Sequence, residues 1–244
     1  MRFRVFALIV LGMSAALHVN PDHARAQDLE AMIEPHEIVK VSSQIAGIIE
    51  EIPVERGDLV KKGQVIATLK SGVEKANVRL AKSQVEFFKR KLERNRDLFV
   101  NKHISEHEKD EMETELAKSE AQLQDAMEKL EMRTIRSTVD GVVVKRELSP
   151  GEYVSEKHIL TVARINPLNV EVVVPVRRYG SVTRGMTAEV RPEAPVGGVY
   201  YGKVVIVDKV VDAASGTYGV RVELPNPSLK LPAGLKCRVK FVRR

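Results

Sequence analysis

The chain has 244 residues, of which 30% are charged and 43% hydrophobic, enough for one domain or a string of small ones. A single cysteine excludes an intrachain disulfide framework. The formal charge of +6 would suit nucleic acid, but there is no Trp and the aromatic residues do not interleave with the basic ones as stacking platforms require. No nucleic-acid partner is expected, and a basic surface facing an anionic membrane or an acidic protein fits better.

Arg2 and Arg4 precede an apolar run from Val5 to Leu17, and Ala24-Arg25-Ala26 supplies a small-x-small cleavage site ahead of Gln27. That run is shorter than the roughly 20 residues needed to span a bilayer. Residues 1–26 therefore read as a cleaved secretory signal, with an uncleaved anchor as the alternative. No Cys follows the run, so a lipid anchor is not expected, and no later segment approaches a membrane-spanning length.

Two stretches then align with each other, Ala46 to Ile66 and Asp140 to Leu160. Each reads as a short apolar strand, a Gly turn, a strand, a second turn and a strand, so they predict two halves of one small β-sandwich. Between them lies a segment without Pro or Gly whose apolar positions recur at alternating spacings of three and four. They are Val78, Ala81, Val85, Phe88, Leu92, then polar Asn95, then Phe99; after a break come Met112, Leu116, Ser119, Leu123, Ala126 and Leu130. This is a heptad seam with one clear polar interruption in its first half, and it predicts two helices, about 73–100 and 106–132, packed as an antiparallel pair. At about 1.5 Å per residue each is on the order of 40 Å long. Ser105 stands three residues before Glu108, the capping-box spacing, so Ser105 caps the second helix and residues 100–104 form the tip.

Charge divides between the helices. Residues 73–98 carry eight basic and four acidic side chains, and residues 105–131 carry three basic and ten acidic. Opposite signs can favour the hairpin itself, can join neighbouring copies side by side, or can simply mark solvated faces. Exposed pairs contribute only about 0–1 kcal/mol each, so register and partner choice matter more than stability here.

The remainder reads as short strands: Val170–Val174, Ala188–Arg191, Tyr201–Val207, a strand near Val220–Leu224, and Lys236–Val242. They suit a small barrel. Cys237 alternates with Lys236 and Arg238, which puts it on the buried face of its strand, with a reactive thiol as the lesser reading.

Together these residues resemble the periplasmic adaptor, or membrane fusion protein, family (HlyD-like) of tripartite efflux and secretion systems. Gly57-Asp58-Leu59-Val60-Lys61-Lys62-Gly63-Gln64 matches the family's lipoyl-like half, Asp212 to Thr217 with Leu231-Pro232-Ala233-Gly234 is similar to its barrel, and Arg94, Leu98 and Ser105 stand at the spacing of its tip motif. At residues 135–141 the usual Ala-Pro before Asp-Gly is missing. The resemblance implies a mainly β fold with an inserted α-helical hairpin. Its parts would be a lipoyl-like sandwich (residues 41–72 and 133–165), an antiparallel coiled-coil hairpin (73–132) and a β-barrel (166–244), with residues 27–40 contributing to the barrel. It implies a non-enzymatic adaptor in the periplasm, associated with the inner membrane. Its partners would be an inner-membrane transporter, of the resistance-nodulation-division class ahead of an ABC-type or type I exporter, and a TolC-like outer-membrane duct that docks on Arg94, Leu98 and Ser105. It also implies self-association as a hexamer. The chain stops soon after the last barrel strand, so a membrane-proximal domain is not expected, and the barrel with the N-terminal segment would meet the transporter.

Other readings are weaker. A biotin or lipoate carrier presents one Lys on a tight turn, whereas Lys70 leads towards a helix. There is no nucleophile elbow, phosphate loop or paired-carboxylate motif, so no catalytic residue and no cofactor is expected. His103 and His107 are four apart but lack a placed third ligand, so no metal site is expected, and they read as surface residues or as a source of pH sensitivity. A self-assembling envelope scaffold remains the alternative outside the export systems.

Overall fold

The computed structural model describes residues 28–101 and 103–242; the expected signal segment, 1–26, lies outside them. In chain order the elements are β1 (Leu29–Val41), β2 (Gly47–Glu51), β3 (Leu59–Val60), β4 (Val65–Leu69), α1 (Gly72–Val100), α2 (Glu106–Glu131), β5 (Thr134–Arg136), β6 (Gly141–Arg146), β7 (Tyr153–Val154), β8 (Leu160–Pro175), β9 (Thr187–Pro192), β10 (Tyr200–Val207), β11 (Thr217–Leu224) and β12 (Lys236–Val242). The expected fold class, mainly β with an inserted helical hairpin, is the one observed.

One sheet of the sandwich runs β5-β4-β2-β7, and the other is formed by the end of β1, the start of β8, β6 and β3. Ile49, Ile66, Leu69, Val143, Val154, Ile159 and Leu160 fill the space between them. The repeat read in the sequence reappears as matched hydrogen bonds. The Gly57 amide donates to the Val143 carbonyl and the Val143 amide to the Asp58 carbonyl; at the same offset, Gly151 donates to Ile49 and Ile49 to Glu152. Each half's turn is thus bonded to the other half's strand. The turns match as well, because the Asp58 carboxylate accepts from the Glu55 amide and the Glu152 carboxylate from the Ser149 amide. Both turns need a residue with φ near +90°, and Gly57 (98°) and Gly151 (90°) supply it without a Cβ penalty.

The second core lies inside a closed six-stranded barrel, ordered β1-β12-β9-β10-β11-β8 and back to β1. Closure removes the unpaired edges that an open sheet of this size would expose. Period-two alternation sends Tyr218, Val220, Val222 and Leu224 of β11 inward, against Leu168, Val170, Val172 and Val174 of β8. Cys237 joins this core as a free, buried thiol. Burial, helped by the nearby Glu193 carboxylate, pushes its pKa up to about 12, so it carries almost no thiolate at neutral pH.

The two β units are not joined by a loop. β1 and β8 pair from Ala31↔Val172 to Val41↔Leu160 as one antiparallel ribbon that passes from barrel to sandwich. The sequence reading draws unit boundaries at 40/41 and 165/166, and β1 and β8 cross these positions as continuous strands. Pro35 and Pro167 break the alternating pattern by which such strands are recognised. Pro35 sits beside the ribbon's only register shift, where the ladder is already interrupted. The His36 carbonyl at that bulge accepts a hydrogen bond from the buried Asn169 amide at 3.2 Å.

Candidate docking surface on the helical hairpin

The hairpin is anchored where it leaves the sandwich. Arg133, just past α2, pairs with Glu74 in the first turn of α1 at 2.6 Å, and both side chains are largely buried. The same guanidinium reaches the Ala46 carbonyl at 3.3 Å, and the Arg133 carbonyl accepts from the Leu69 amide. One residue therefore ties both helices to the sandwich sheet. Periodicity gives no signal for it, because its partners lie far away in the chain.

Beyond this root the seam follows the heptad positions. Every seam residue anticipated from Val78 to Phe99 and from Met112 to Leu130 is buried or half-buried. Within the helices only Ala81, Val85, Ser119 and Ala126 are fully buried, and all four are small or medium-sized. Among the described residues, the ion pair between α1 and α2 is Lys89–Glu120 at 2.9 Å, with both partners about half exposed. Arg96–Glu93, Lys109–Glu113, Lys118–Glu115 and Lys129–Asp125 stay within one helix, while Glu74 and Glu131 pair with Arg133 and Arg136 at the root. The opposite charges of the two helices are thus mostly carried on their outer faces.

At the far end Ser105 caps α2. Its hydroxyl accepts from the Glu108 amide at 3.2 Å, and the Glu108 carboxylate accepts from the Ser105 amide at 2.8 Å. The Ser105 backbone N–H, and then its hydroxyl, hold the Glu108 carboxyl below the usual range. Arg94 and Leu98, four residues apart and so on one face of α1, lie in its last two turns. Both are exposed, Leu98 at 41%, and neither contributes to the seam. Arg94 makes no ion pair or hydrogen bond among the described residues, and the Glu108 carboxylate is engaged in the capping box. The three tip residues therefore sit at the same end of the hairpin, with Ser105 committed to the cap and Arg94 and Leu98 presented to solvent.

Among the described residues no group of three or more His, Cys, Asp or Glu could hold a metal ion, and no helix is long and apolar enough to cross a membrane. Lys70 donates its amide to the Ile48 carbonyl just before α1, away from any two-residue hairpin turn.

The chain matches the CzcB-like, barrel-sandwich hybrid domain over residues 37–164 and the CusB-like, β-barrel domain over residues 168–244. Curated relatives include the nodulation protein NolF of Rhizobium meliloti, 24% identical over 232 residues, covering 89% of this chain and 63% of that protein. The cobalt-zinc-cadmium resistance protein CzcB of Cupriavidus metallidurans is 24% identical over 211 residues, covering 80% and 40%. The multidrug resistance protein MdtE of Escherichia coli K12 is 25% identical over 237 residues, covering 85% and 62%. The chain thus spans less than two thirds of the length of each of these relatives. The fold is shared with a MacA-MexA chimeric protein containing the Pseudomonas aeruginosa MexA α-hairpin (TM-score 0.75, 21% identity, 88% of this chain and 80% of that one). It is shared too with the membrane fusion protein Spr0693 of Streptococcus pneumoniae R6 (TM-score 0.70, 17% identity, 89% and 99%).

Proposed function

The chain belongs to the periplasmic adaptor, or membrane fusion protein, family, and from that premise we propose that it links an inner-membrane efflux transporter to an outer-membrane duct. In this reading it works in the periplasm against the inner membrane, has no catalytic step of its own, and supports export by assembly and sealing. The observation that carries the reading is the hairpin itself, a rod on the order of 40 Å long, clamped at its root by Glu74–Arg133 and presenting Arg94 and Leu98 at its free end. Arg94 offers a planar fork of donors to carbonyls or carboxylates of a partner helix pair, Leu98 an apolar contact, and Ser105 a rigid turn between them. The transporter, of the resistance-nodulation-division class, meets the barrel and the N-terminal segment. The segregated charges of α1 and α2 support side-by-side packing of several copies, six in our reading, because a basic face on one copy meets an acidic face on the next.

A cysteine placed at exposed Asn101, in cells exporting the full chain, is expected to crosslink to an outer-membrane duct protein. Arg94→Asp should abolish that crosslink and the export it supports while leaving helicity intact. Undiminished export by Arg94→Asp overturns the docking role. Crosslinks only between copies would leave a self-assembling envelope scaffold in its place.

A further inference from the structure

The two flanks of the hairpin differ near its root. On one flank a groove of about 310 Å³ opens between the helices, walled by residues from Glu74 to Gln84 of α1 and from Gln122 to Lys129 of α2. Leu80 stands on its rim, 63% exposed. Val73 and Phe87, seven residues to either side, continue that column and are exposed as well, so α1 carries an apolar stripe that the seam does not use. Phe87 meets the seam residue Phe88 edge-on, with ring centroids 5.3 Å apart, and is still half exposed.

The opposite flank is the one on which Lys89 of α1 pairs with Glu120 of α2, and neither of these lines the groove. Met127, seven residues after Glu120, is on that flank too, and it is half exposed. Its position falls within the stretch from Gln122 to Lys129 that walls the groove. The protruding thioether and the groove therefore sit at the same height on opposite sides of the rod. Lys75 and Lys82, in the spacing-seven column of Lys89, share Met127's flank. The groove, by contrast, carries two carboxylates, Glu74 and Asp125, and one ammonium, Lys129.

Resting on the side-by-side packing proposed above, we infer that Met127 of one copy seats in the root groove of the next, against Leu80. A knob and a hole at equal height on opposite flanks make a heterologous contact, and with every hairpin pointing the same way such a contact generates a ring where the rotation closes. A flexible, unbranched thioether suits an irregular groove between helices. Charge agrees, because the flank with Lys75 and Lys82 meets a groove whose carboxylates outnumber its ammonium. Position favours a copy over the duct, which docks at the tip: Leu80 lies roughly 25 Å down the helix from Leu98. A two-fold pairing of groove flanks would cover Leu80 but leave Met127 in water, whereas the heterologous contact covers both. The column through Val73, Leu80 and Phe87 next reaches Arg94, so the copy contact takes the root half of the hairpin and leaves its tip to the duct.

The test joins the two flanks. Leu80→Cys and Met127→Cys, combined in one full chain in cells that export it, lie on opposite flanks, so a short bifunctional maleimide can link them only between copies. Native Cys237 is buried and protonated and stays silent. The double variant should give a ladder of products extending beyond the dimer, and either single variant almost none. In sedimentation of the purified full chain, Leu80→Asp should weaken association about tenfold, the scale of one aliphatic side chain left in water, with helicity unchanged because the site is exposed. Val100→Asp, at an exposed site on the tip, should not weaken it. Dimers from Leu80→Cys alone overturn the inference in favour of a two-fold contact, and undiminished association in Leu80→Asp overturns it too. So does absence of the ladder: if an amine crosslinker still yields multimers, the copies pack through another surface, and if it yields none, side-by-side packing itself has failed.

Discussion

The sandwich and the hairpin it carries are held together by different means. In the sandwich Ile49, Ile66, Leu69, Val143, Val154, Ile159 and Leu160 are each exposed by 1% or less, and the two repeat halves bond each other reciprocally. The hairpin fully buries only Ala81, Val85, Ser119 and Ala126 along its helices and relies on fixed ends, the Arg133 root and the Ser105 cap. A unit that closes its own core has little freedom in what it buries. A two-helix rod fastened at its ends can give most of its surface to partners, at the cost of a weak middle.

Equal truncations in the two regions should therefore cost different amounts. Leu160→Ala is expected to lose about 3 kcal/mol in denaturant unfolding, the usual scale for a fully buried leucine, whereas Leu116→Ala in the half-buried seam should lose about 1 kcal/mol. Equal losses would break the comparison. Arg133→Met comes next, at about 2 kcal/mol, because it leaves the largely buried Glu74 carboxylate without its donor. The loss should appear as helicity that melts below the main transition.

Ser105→Ala should cost on the order of 1 kcal/mol, as N-cap removals do, and it sharpens the picture through pH. The folded pKa of Glu108 is depressed. Its contribution is therefore fully present above the unfolded carboxylate value of about 4.3, and is lost as pH falls through the lower folded value. Circular dichroism of the wild type should show helicity falling in that acid range, and Ser105→Ala, which loses the hydroxyl but keeps the backbone N–H, should show this component reduced and not abolished. The smallest effect belongs to Lys89→Ala, about 0.3 kcal/mol, because the Lys89–Glu120 pair is exposed on both sides.

Periodic features were legible before the structure. The seam residues, the Ser105–Glu108 cap and the two sandwich halves all follow from spacings of seven, three or two, which local backbone geometry imposes directly. What lacked a period was hidden. Arg133 acts through partners at Glu74 and Ala46 that are distant in the chain, and nothing next to it in the sequence announces them. Asn95 could be recognised as a polar interruption, but its amide bonds the Lys91 carbonyl of its own helix, a choice of side-chain orientation that spacing does not encode. The continuity of β1 and β8 was masked by Pro35 and Pro167, residues that ordinarily end such patterns.

That continuity has a mechanical meaning. Because β1 and β8 each pass unbroken from barrel into sandwich, a pull directed along them has no slack linker to extend first. The two covalent backbones carry such a pull directly, and their rungs, from Ala31↔Val172 to Val41↔Leu160 on either side of one bulge, keep the two strands in register under it. The ribbon behaves as a tie-rod between the two β units, compliant at the Pro35–Glu37 bulge and stiff on either side of it.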